Sequence, residues 1–379
     1  MSSIWGRREP DRTPPPHPTH PPPTPPPTAR LAEVPIPTND ARPPGHSIVP
    51  NPHLWNELLT VARWAPSPHN TQPWLLRPTG DSSADLFMLR SRRLPDEDTT
   101  GCFLVCAMGI FIEALRIAAS NRSLRLEAAL EDHLDLSQER IPFARLTLSP
   151  GASPDEYPDT ALLERRTSRL VPDSRALTAD QFAALHAAAA PFGHAVRGVS
   201  DPAAIRRILD RNIDAVLHDL ADPKYGGEIA RWYRYTASHA SRTRDGLEAR
   251  CMNMPALTMW LSARAPWMLR TPLLRAIMRS AYRRMLGGAP ALILIQGDFF
   301  DHRAAAASGA MLLRLWLRMH TMGLAMHPFG NLVTNAAAHA WLTNTTGIDR
   351  IWLVARIGHT ATPPRSHRLR TEEILCTDA

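Results

Sequence analysis

Apolar positions recur at helical spacing from residue 51 onward. Leu54, Leu58, Val61 and Ala62 form one face, Trp55 and Leu59 widen it, and Pro66 ends the run. After a Gln72-Pro73-Trp74 loop, Trp74 to Leu76 opens a strand, Gly80-Asp81 marks a turn, and Asp85 to Leu89 forms the next strand. Residues 101–120 are apolar almost throughout, interrupted by Glu113 and Arg116, which predicts a long buried helix rather than a membrane span. Phe143 to Leu148 is a further strand. A second series follows: a helix carrying Leu162-Leu163, helices at about 179–190 and 202–221, and an apolar strand from Ala291 to Gln296. A long helix at 303–323 and a closing strand from Ile351 to Ile357 complete it. The order helix–strand–long helix–strand thus occurs twice. The pattern predicts an α+β protein of two similar halves, 51–150 and 151–379. Its central sheets, antiparallel or mixed, would be flanked by helices. An insertion at about 225–285 interrupts the second half and holds Trp232, Tyr233, Tyr235, Trp260, Trp267 and Tyr282. These aromatics are either ordinary core for a helical stretch or a cap over a site.

Residues 1–50 carry a different pattern. The run from Thr13 to Thr28 is nearly all Pro, Thr and His and cannot bury enough apolar surface to offset ordering entropy, so a disordered, partly polyproline II tail is expected. The 379 residues are 44% hydrophobic and 21% charged, which is ordinary for a globular protein, so the rest of the chain should fold. The formal net charge of +7 raises the question of nucleic acid. The arginines, however, are scattered and often stand beside Asp or Glu, with no basic run interleaved with aromatics. No nucleic-acid or membrane partner is expected.

The chemistry narrows by elimination. Lys224 is the only lysine and sits in the turn-like Asp222-Pro223-Lys224-Tyr225-Gly226-Gly227, a poor place for a Schiff base, and there is no Walker A lysine. Any phosphate must be held by Arg, His or backbone N–H groups. Cys102 and Cys106 lie one helical turn apart without a His or Cys to complete a metal site, so no metal is expected and free thiols in a reducing cytoplasm fit better. Arg7-Arg8 is followed by proline rather than an apolar stretch, so no export signal is read and a cytoplasmic location is expected.

Two polar strings stand out. Ala65-Pro66-Ser67-Pro68-His69-Asn70-Thr71-Gln72-Pro73-Trp74 follows the first helix, and Arg165-Arg166-Thr167-Ser168-Arg169 opens the second series. Both resemble motifs of the nitroreductase family, where FMN lies at a dimer interface and takes contacts from both subunits. In the family the arginine-serine motif comes first within one subunit. Here the order is reversed, which suggests a dimer fused into one polypeptide, as in the fused Acg-like branch of the family. Arg90-Ser91-Arg92-Arg93-Leu94-Pro95 and Asp245-Gly246-Leu247 also resemble that branch, and the resemblance covers residues 51–376.

The resemblance implies roles residue by residue. Pro66, Ser67, Pro68 and Asn70 would contact flavin from the neighbouring half, while Gln72, Pro73 and Trp74 brace the loop. Arg165 would bind the phosphate. Thr167 offers a hydroxyl, and Arg169 would lie near the ribityl and pyrimidine region, a supporting cation for the reduced cofactor. Arg368 matches a phosphate-binding arginine of the C-terminal tail. Ser366 stands where the family has a lysine, a gap that Arg365 or His367 could fill. In Met326-His327-Pro328-Phe329-Gly330-Asn331, Pro328 matches a turn against flavin N5, but Gly330 and Asn331 replace its Glu-Gly pair. Gly330 would allow close backbone approach there. His327 and His339 read as supporting residues. The implied function is two-electron transfer from NAD(P)H through FMN to a nitroaromatic, quinone or other small electrophile. Alternatives are a flavin-sequestering protein with a cap and little turnover, or an oxidase or dehydrogenase of the same fold. A pseudo-dimer within one chain is implied, with further assembly open.

Overall fold

The computed structural model describes residues 53–376, which belong to one compact unit. The tail expected at 1–50 lies outside the described residues. The first half runs α1 (Leu54–Ala62), β1 (Trp74–Pro78), β2 (Ser83–Leu89), α2 (Cys102–Ser120), β3 (Leu124–Leu130) and β4 (Arg140–Pro150). A short α3 (Asp159–Glu164) leads to α4 (Ala179–Ala189) and β5 (Ala195–Val199). Helix α5 (Pro202–Ala221) precedes the insertion, which comprises α6 (Pro223–Trp232), β6 (Tyr233–Arg234), α7 (Ala237–Thr243), β7 (Leu247–Glu248), α8 (Ala256–Arg264) and α9 (Pro272–Leu286). Then come β8 (Ala291–Gln296), α10 (His302–Thr321), β9 (Ala325–Phe329), α11 (Asn331–Thr334), α12 (Ala336–Thr346), β10 (Ile351–Gly358) and α13 (Thr371–Ile374).

The two four-stranded sheets have one topology. Their orders are β1-β2-β4-β3 and β5-β8-β10-β9, every pair antiparallel. In each, the chain visits the strands as first, second, fourth and third, with a long helix between the second and third in sequence. The small β6-β7 pair is parallel.

The long helices of the two halves pack directly on each other. A Cβ added at Gly109 would stand 2.0 Å from the Ala306 carbonyl oxygen, and one at Gly309 would stand 2.2 Å from that of Cys106. The contacts are reciprocal, because Gly109 and Gly309, like Cys106 and Ala306, occupy corresponding positions on α2 and α10. Glycine and alanine let the two backbones approach more closely than ridge-into-groove packing of large side chains permits. Helix α2 is apolar on all sides because it is covered on all sides. It is long and apolar enough to cross a membrane by length and composition, but 89% of that stretch is buried inside the protein. Its one buried acid, Glu113, accepts from Arg314 of α10 at 2.6 Å, and the same guanidinium reaches Asp155 at 2.9 Å. Burial opposes the Arg314 charge, yet the two carboxylates hold its pKa above the ordinary value.

The main core fills the space around α2 and α10, between the facing sides of the two sheets. A second core lies on the other face of the β8–β10 sheet, under α5, α9, α11 and α12. That sheet is therefore covered twice, and β10 is buried along its whole length. In the first sheet, by contrast, β2 alternates buried and half-buried positions. The C-terminal segment crosses back onto the first half, where Cys376 N–H donates to the Leu76 carbonyl at 2.9 Å and Leu375 bridges to Leu76 in β1.

The crossing yields a stability prediction. Gly109→Ala must displace backbone on α10 and should cost about 1–3 kcal/mol. Gly227→Ala, where an added Cβ meets nothing within 4 Å, should be neutral or slightly stabilising. Chemical denaturation of the two variants checks both.

Candidate functional site

The loop after α1 is held in an unusual backbone shape. His69, Asn70 and Gln72 adopt φ of 49°, 56° and 51°, a region non-glycine residues enter at a cost. Side chains offset that cost. Ser67 Oγ accepts from Gln72 N–H at 2.9 Å. Gln72 is fully buried, donates to the Asn70 and Arg244 carbonyls, and accepts from Leu369 N–H at 2.8 Å. One glutamine thus ties the loop to the insertion and to the C-terminal segment. Trp74 stacks on Phe111 of α2 with ring centroids 4.6 Å apart.

The two shorter strings of the sequence meet on this loop. Arg92 donates to the Thr71 carbonyl at 2.6 Å and to Asp245 at 3.2 Å, and Asp245 also holds Arg234 at 2.6 Å. Gly246 N–H donates to the Asn70 carbonyl at 3.3 Å. Gly246 has φ +75°, and a Cβ there would lie 2.4 Å from the Trp232 carbonyl oxygen, so only glycine fits.

The loop borders a cavity of about 290 Å³. Its floor is the α2–α10 crossing, with Cys106, Ile110, Leu312 and Trp316, and β10 adds Trp352 and Leu353. Seven of the residues singled out in the sequence line it: Pro66, Ser67, Pro68, Thr167, Arg169, Pro328 and Gly330. Thr167 reaches it because the arginine-serine string forms a bridge to Met326, beside β9. The insertion supplies much of the remaining wall, through Tyr225, Tyr233, Met252, Met254, Tyr282 and Met285. The aromatics read as either core or cap divide between several places. Tyr233 and Tyr282 line the cavity, Trp232 packs in the main core, Tyr235 packs on the second core, and Trp260 and Trp267 are exposed.

Asn70, Arg165 and Arg368 do not line the cavity but meet beside it. Asn70 Nδ2 donates to the His367 carbonyl at 3.1 Å, while its side-chain Oδ1 is buried without a partner. Arg165 lies over the Trp316 ring at 4.4 Å and donates to the Trp64 carbonyl at 3.2 Å, leaving Nε and Nη1 buried and unpaired. Burial and the nearby positive charge of Arg368 lower its pKa to about 9. Around the Trp64 indole stand three more guanidinium groups, Arg365 at 3.4 Å, Arg63 at 5.3 Å and Arg368 at 5.7 Å from the ring centroid. Burial lowers the Arg368 pKa to about 10. None of these four arginines pairs with a carboxylate among the described residues, and Arg63 and Arg368 also keep a buried unpaired Nε. Clustered cations without counter-charge repel one another, and a phosphate dianion matches both the charge and the orphaned donors.

Several residues at the wall were given no flavin role in the sequence reading. His69 Nε2 lies 2.8 Å from Glu97 Oε2 in a mostly buried ion pair. Burial would raise the Glu97 pKa, but His69 and a hydrogen bond with Tyr225 hold it below the ordinary value, so it stays ionised. Glu228 of the insertion accepts from Asp96 and Glu97 N–H and fixes that segment. Tyr225 in turn accepts from Asn331 at 2.7 Å, and Asn331 donates to Asp219 at 2.9 Å. Two sequence expectations change here. Gly330 has φ −63°, and an added Cβ would make only ordinary contact with Glu97 at 3.5 Å, so neither its conformation nor local crowding demands glycine. His327, read as a supporting residue, lines the cavity. Burial, then Arg169 and Arg356, push its pKa well down, so it is neutral at pH 7. His339 lies elsewhere, its Nε2 2.8 Å from the Ile351 carbonyl. Arg169 is buried, pairs with no carboxylate among the described residues, and donates to the Cys251 carbonyl at 3.4 Å.

No protein-family model matches the chain. Two curated proteins of Mycobacterium tuberculosis, from strains CDC 1551 and H37Rv, carry provisional NAD(P)H nitroreductase names, and each is 31% identical over 187 residues. The match takes in 48% of this chain, and the chain spans about half (52%) of those relatives' length. Among solved structures, an FMN-bound nitroreductase of Bacteroides fragilis aligns over 55% of this chain and 91% of its own at 12% identity and TM-score 0.32. The FMN-dependent nitroreductase NfnB of Mycobacterium smegmatis, solved with NADPH, aligns over 55% and 93% at 16% identity and TM-score 0.35. These structural scores are too low to support an argument about this site. The chain is thus similar, over about half its length, to curated sequences bearing the nitroreductase name.

The segment carrying Arg368 is clasped to the insertion by Arg244 and Glu373, Nε to Oε2 at 2.6 Å. The clasp lowers the Glu373 pKa to about 2. A depressed carboxyl pKa stabilises fully above the unfolded value, roughly 4.3, and the benefit disappears as pH falls through the folded value. The Tm difference between the native chain and Glu373→Gln should therefore be steady at neutral pH, shrink below about pH 4.3 and vanish near pH 2, as thermal melts across that range would show.

Proposed function

We propose that this chain is an FMN-binding oxidoreductase of the nitroreductase type, with two nitroreductase-like halves fused in one polypeptide. The observation that carries the reading is the meeting of two polar strings, about a hundred residues apart, beside one largely apolar cavity with unpaired arginines at its edge. The shared element order, common strand pairing and reciprocal glycine contacts support the fused-pair reading. In it the first half supplies Pro66, Ser67, Pro68 and Asn70. The second supplies Arg165, Thr167, Arg169, Pro328, Gly330 and Arg368. Each string occurs once, which argues for one site per chain.

The residues fit the cofactor on chemical grounds. Arg63, Arg165 and Arg368 would hold the phosphate through their buried unpaired N–H groups, with Arg365 beside them over Trp64. Arg365 takes the place of the family's missing lysine. Asn70, with its orphaned side-chain Oδ1, and the groups lining the cavity would hold the ring system. When bound, FMN supplies two-electron exchange between NAD(P)H and a small electrophile such as a nitroaromatic or quinone. The chain's own residues orient, exclude water and place charge. Arg169 keeps its positive charge undiminished by any carboxylate, and neutral His327 adds none. His69 Nε2 lies against the Glu97 carboxylate at the cavity wall, on the side formed with Tyr225.

A flavin-sequestering role is the second reading, favoured by the insertion residues that close over the cavity. Anaerobic addition of NADPH separates the two. Rapid bleaching of the flavin spectrum supports the reductase, and a flavin that stays oxidised for minutes supports sequestration. A colourless protein that takes up no added FMN excludes both. Arg165→Ala should weaken FMN by about 1.5–3 kcal/mol, roughly 10- to 150-fold in Kd, measured by fluorescence titration. Unchanged affinity would remove the phosphate from that place.

A further inference from the structure

The outer surface of the insertion differs from the rest of the molecule. Seven large apolar side chains are exposed among the described residues, and five of them fall within residues 257–277. Leu257 and Trp260, 66% and 47% exposed, stand three apart on α8, and Arg264 continues their stripe one turn on. Leu273 and Ile277, 70% and 55% exposed, stand four apart on α9, with Arg284 farther along the same side. Trp267, 64% exposed, sits on the turn between the two helices. From residue 251 to 297 the chain has six arginines and no Asp or Glu. Arg279 and Arg283 are tied to Asp214 and Asp210 of α5, but Arg264 and Arg284 pair with no carboxylate among the described residues. The scattered-charge pattern of the sequence thus breaks down in this stretch, and the fold turns part of it outward.

Tryptophan, leucine and unpaired arginine on one helical surface are the features of a segment that lies in a membrane interface. A nucleic acid would use the arginines and leave Leu273 and Ile277 unexplained. A second copy of the chain, meeting across a two-fold axis, would set this acid-free surface against itself. We propose that the outer face of α8 and α9 docks on an anionic lipid bilayer. Trp260, Trp267, Leu273 and Ile277 enter the headgroup boundary, and Arg264 and Arg284 face lipid phosphates. The inner side of α9 carries Tyr282, Met285 and Leu286 into the cavity wall. Docking therefore brings the cavity within about one helix diameter, roughly 10 Å, of the membrane surface. The inference stands on the surface alone and does not depend on the cofactor reading.

The test uses the full chain with two sets of vesicles, phosphatidylcholine alone and phosphatidylcholine with phosphatidylglycerol, and cosedimentation as the readout. Binding to the anionic vesicles should exceed binding to the neutral ones by about tenfold or more and weaken in high salt. Leu273→Glu with Ile277→Glu alters only exposed positions, so circular dichroism should be unchanged while vesicle binding falls about tenfold or more. Failure to bind anionic vesicles, or equal binding by the double variant, overturns the proposal. A dimer in sedimentation velocity that the double variant dissolves also overturns it, assigning the face to a second copy.

Discussion

The backbone contact between α2 and α10 at Gly109 and Gly309 is the constraint from which the rest of the structure follows. It sets the separation of the two sheets, and it places the turns that precede and follow each long helix around a shared floor. The cavity rests on that floor, through Cys106 and Ile110 on one side and Leu312 and Trp316 on the other. Larger side chains at the crossing would part the helices and widen the gap that Thr167, Pro328 and the loop at 66–70 must span. The Glu113–Arg314–Asp155 cluster fixes register at the same junction, with charge rather than shape.

Electrostatics then divides the site into two regions. Arg63, Arg365 and Arg368 stand around Trp64 and Arg165 lies over Trp316, none of them paired with a carboxylate among the described residues, a state that costs free energy until an anion arrives. Along the cavity wall, His69 lies against Glu97, and Asn331 links Tyr225 to Asp219, while His69 Nδ1 and Glu97 Oε2 remain buried without a hydrogen-bond partner. The first region is built to receive charge from outside. The second gives the cavity a polar edge with two buried groups still open to a ligand.

Much of this was legible in the sequence where the signal was local. Helix α2 declared itself by its unbroken apolar run, and β8 and β10 by theirs, because sheet coverage on both faces removes the alternation that marks a half-exposed strand. Three strands of the two main sheets escaped, as did the short β6 and β7. In β3, outward-facing Arg125 and Glu127 dilute the apolar signal; β5 is only five residues long; and β9 contains Pro328, which an edge strand tolerates but a sequence pattern reads as a loop. The polar strings at 66–74 and 165–169 could be found because each is contiguous. Arg63, Glu97 and Tyr225 could not, since their meaning comes from segments brought together only by folding. The backbone strain at His69, Asn70 and Gln72 is likewise invisible in residue identities.

The C-terminal segment has a double duty. By bridging to Leu76 it covers the outer edge of β1, a row of backbone donors and acceptors that would otherwise be free to recruit another strand. The same segment delivers Arg368 to the cation cluster. Detaching it would therefore do opposite things to the two regions it touches, relieving crowded positive charge while uncovering an adhesive border. Solubility and anion capture are thereby linked through a dozen residues, and neither property can be tuned there without disturbing the other.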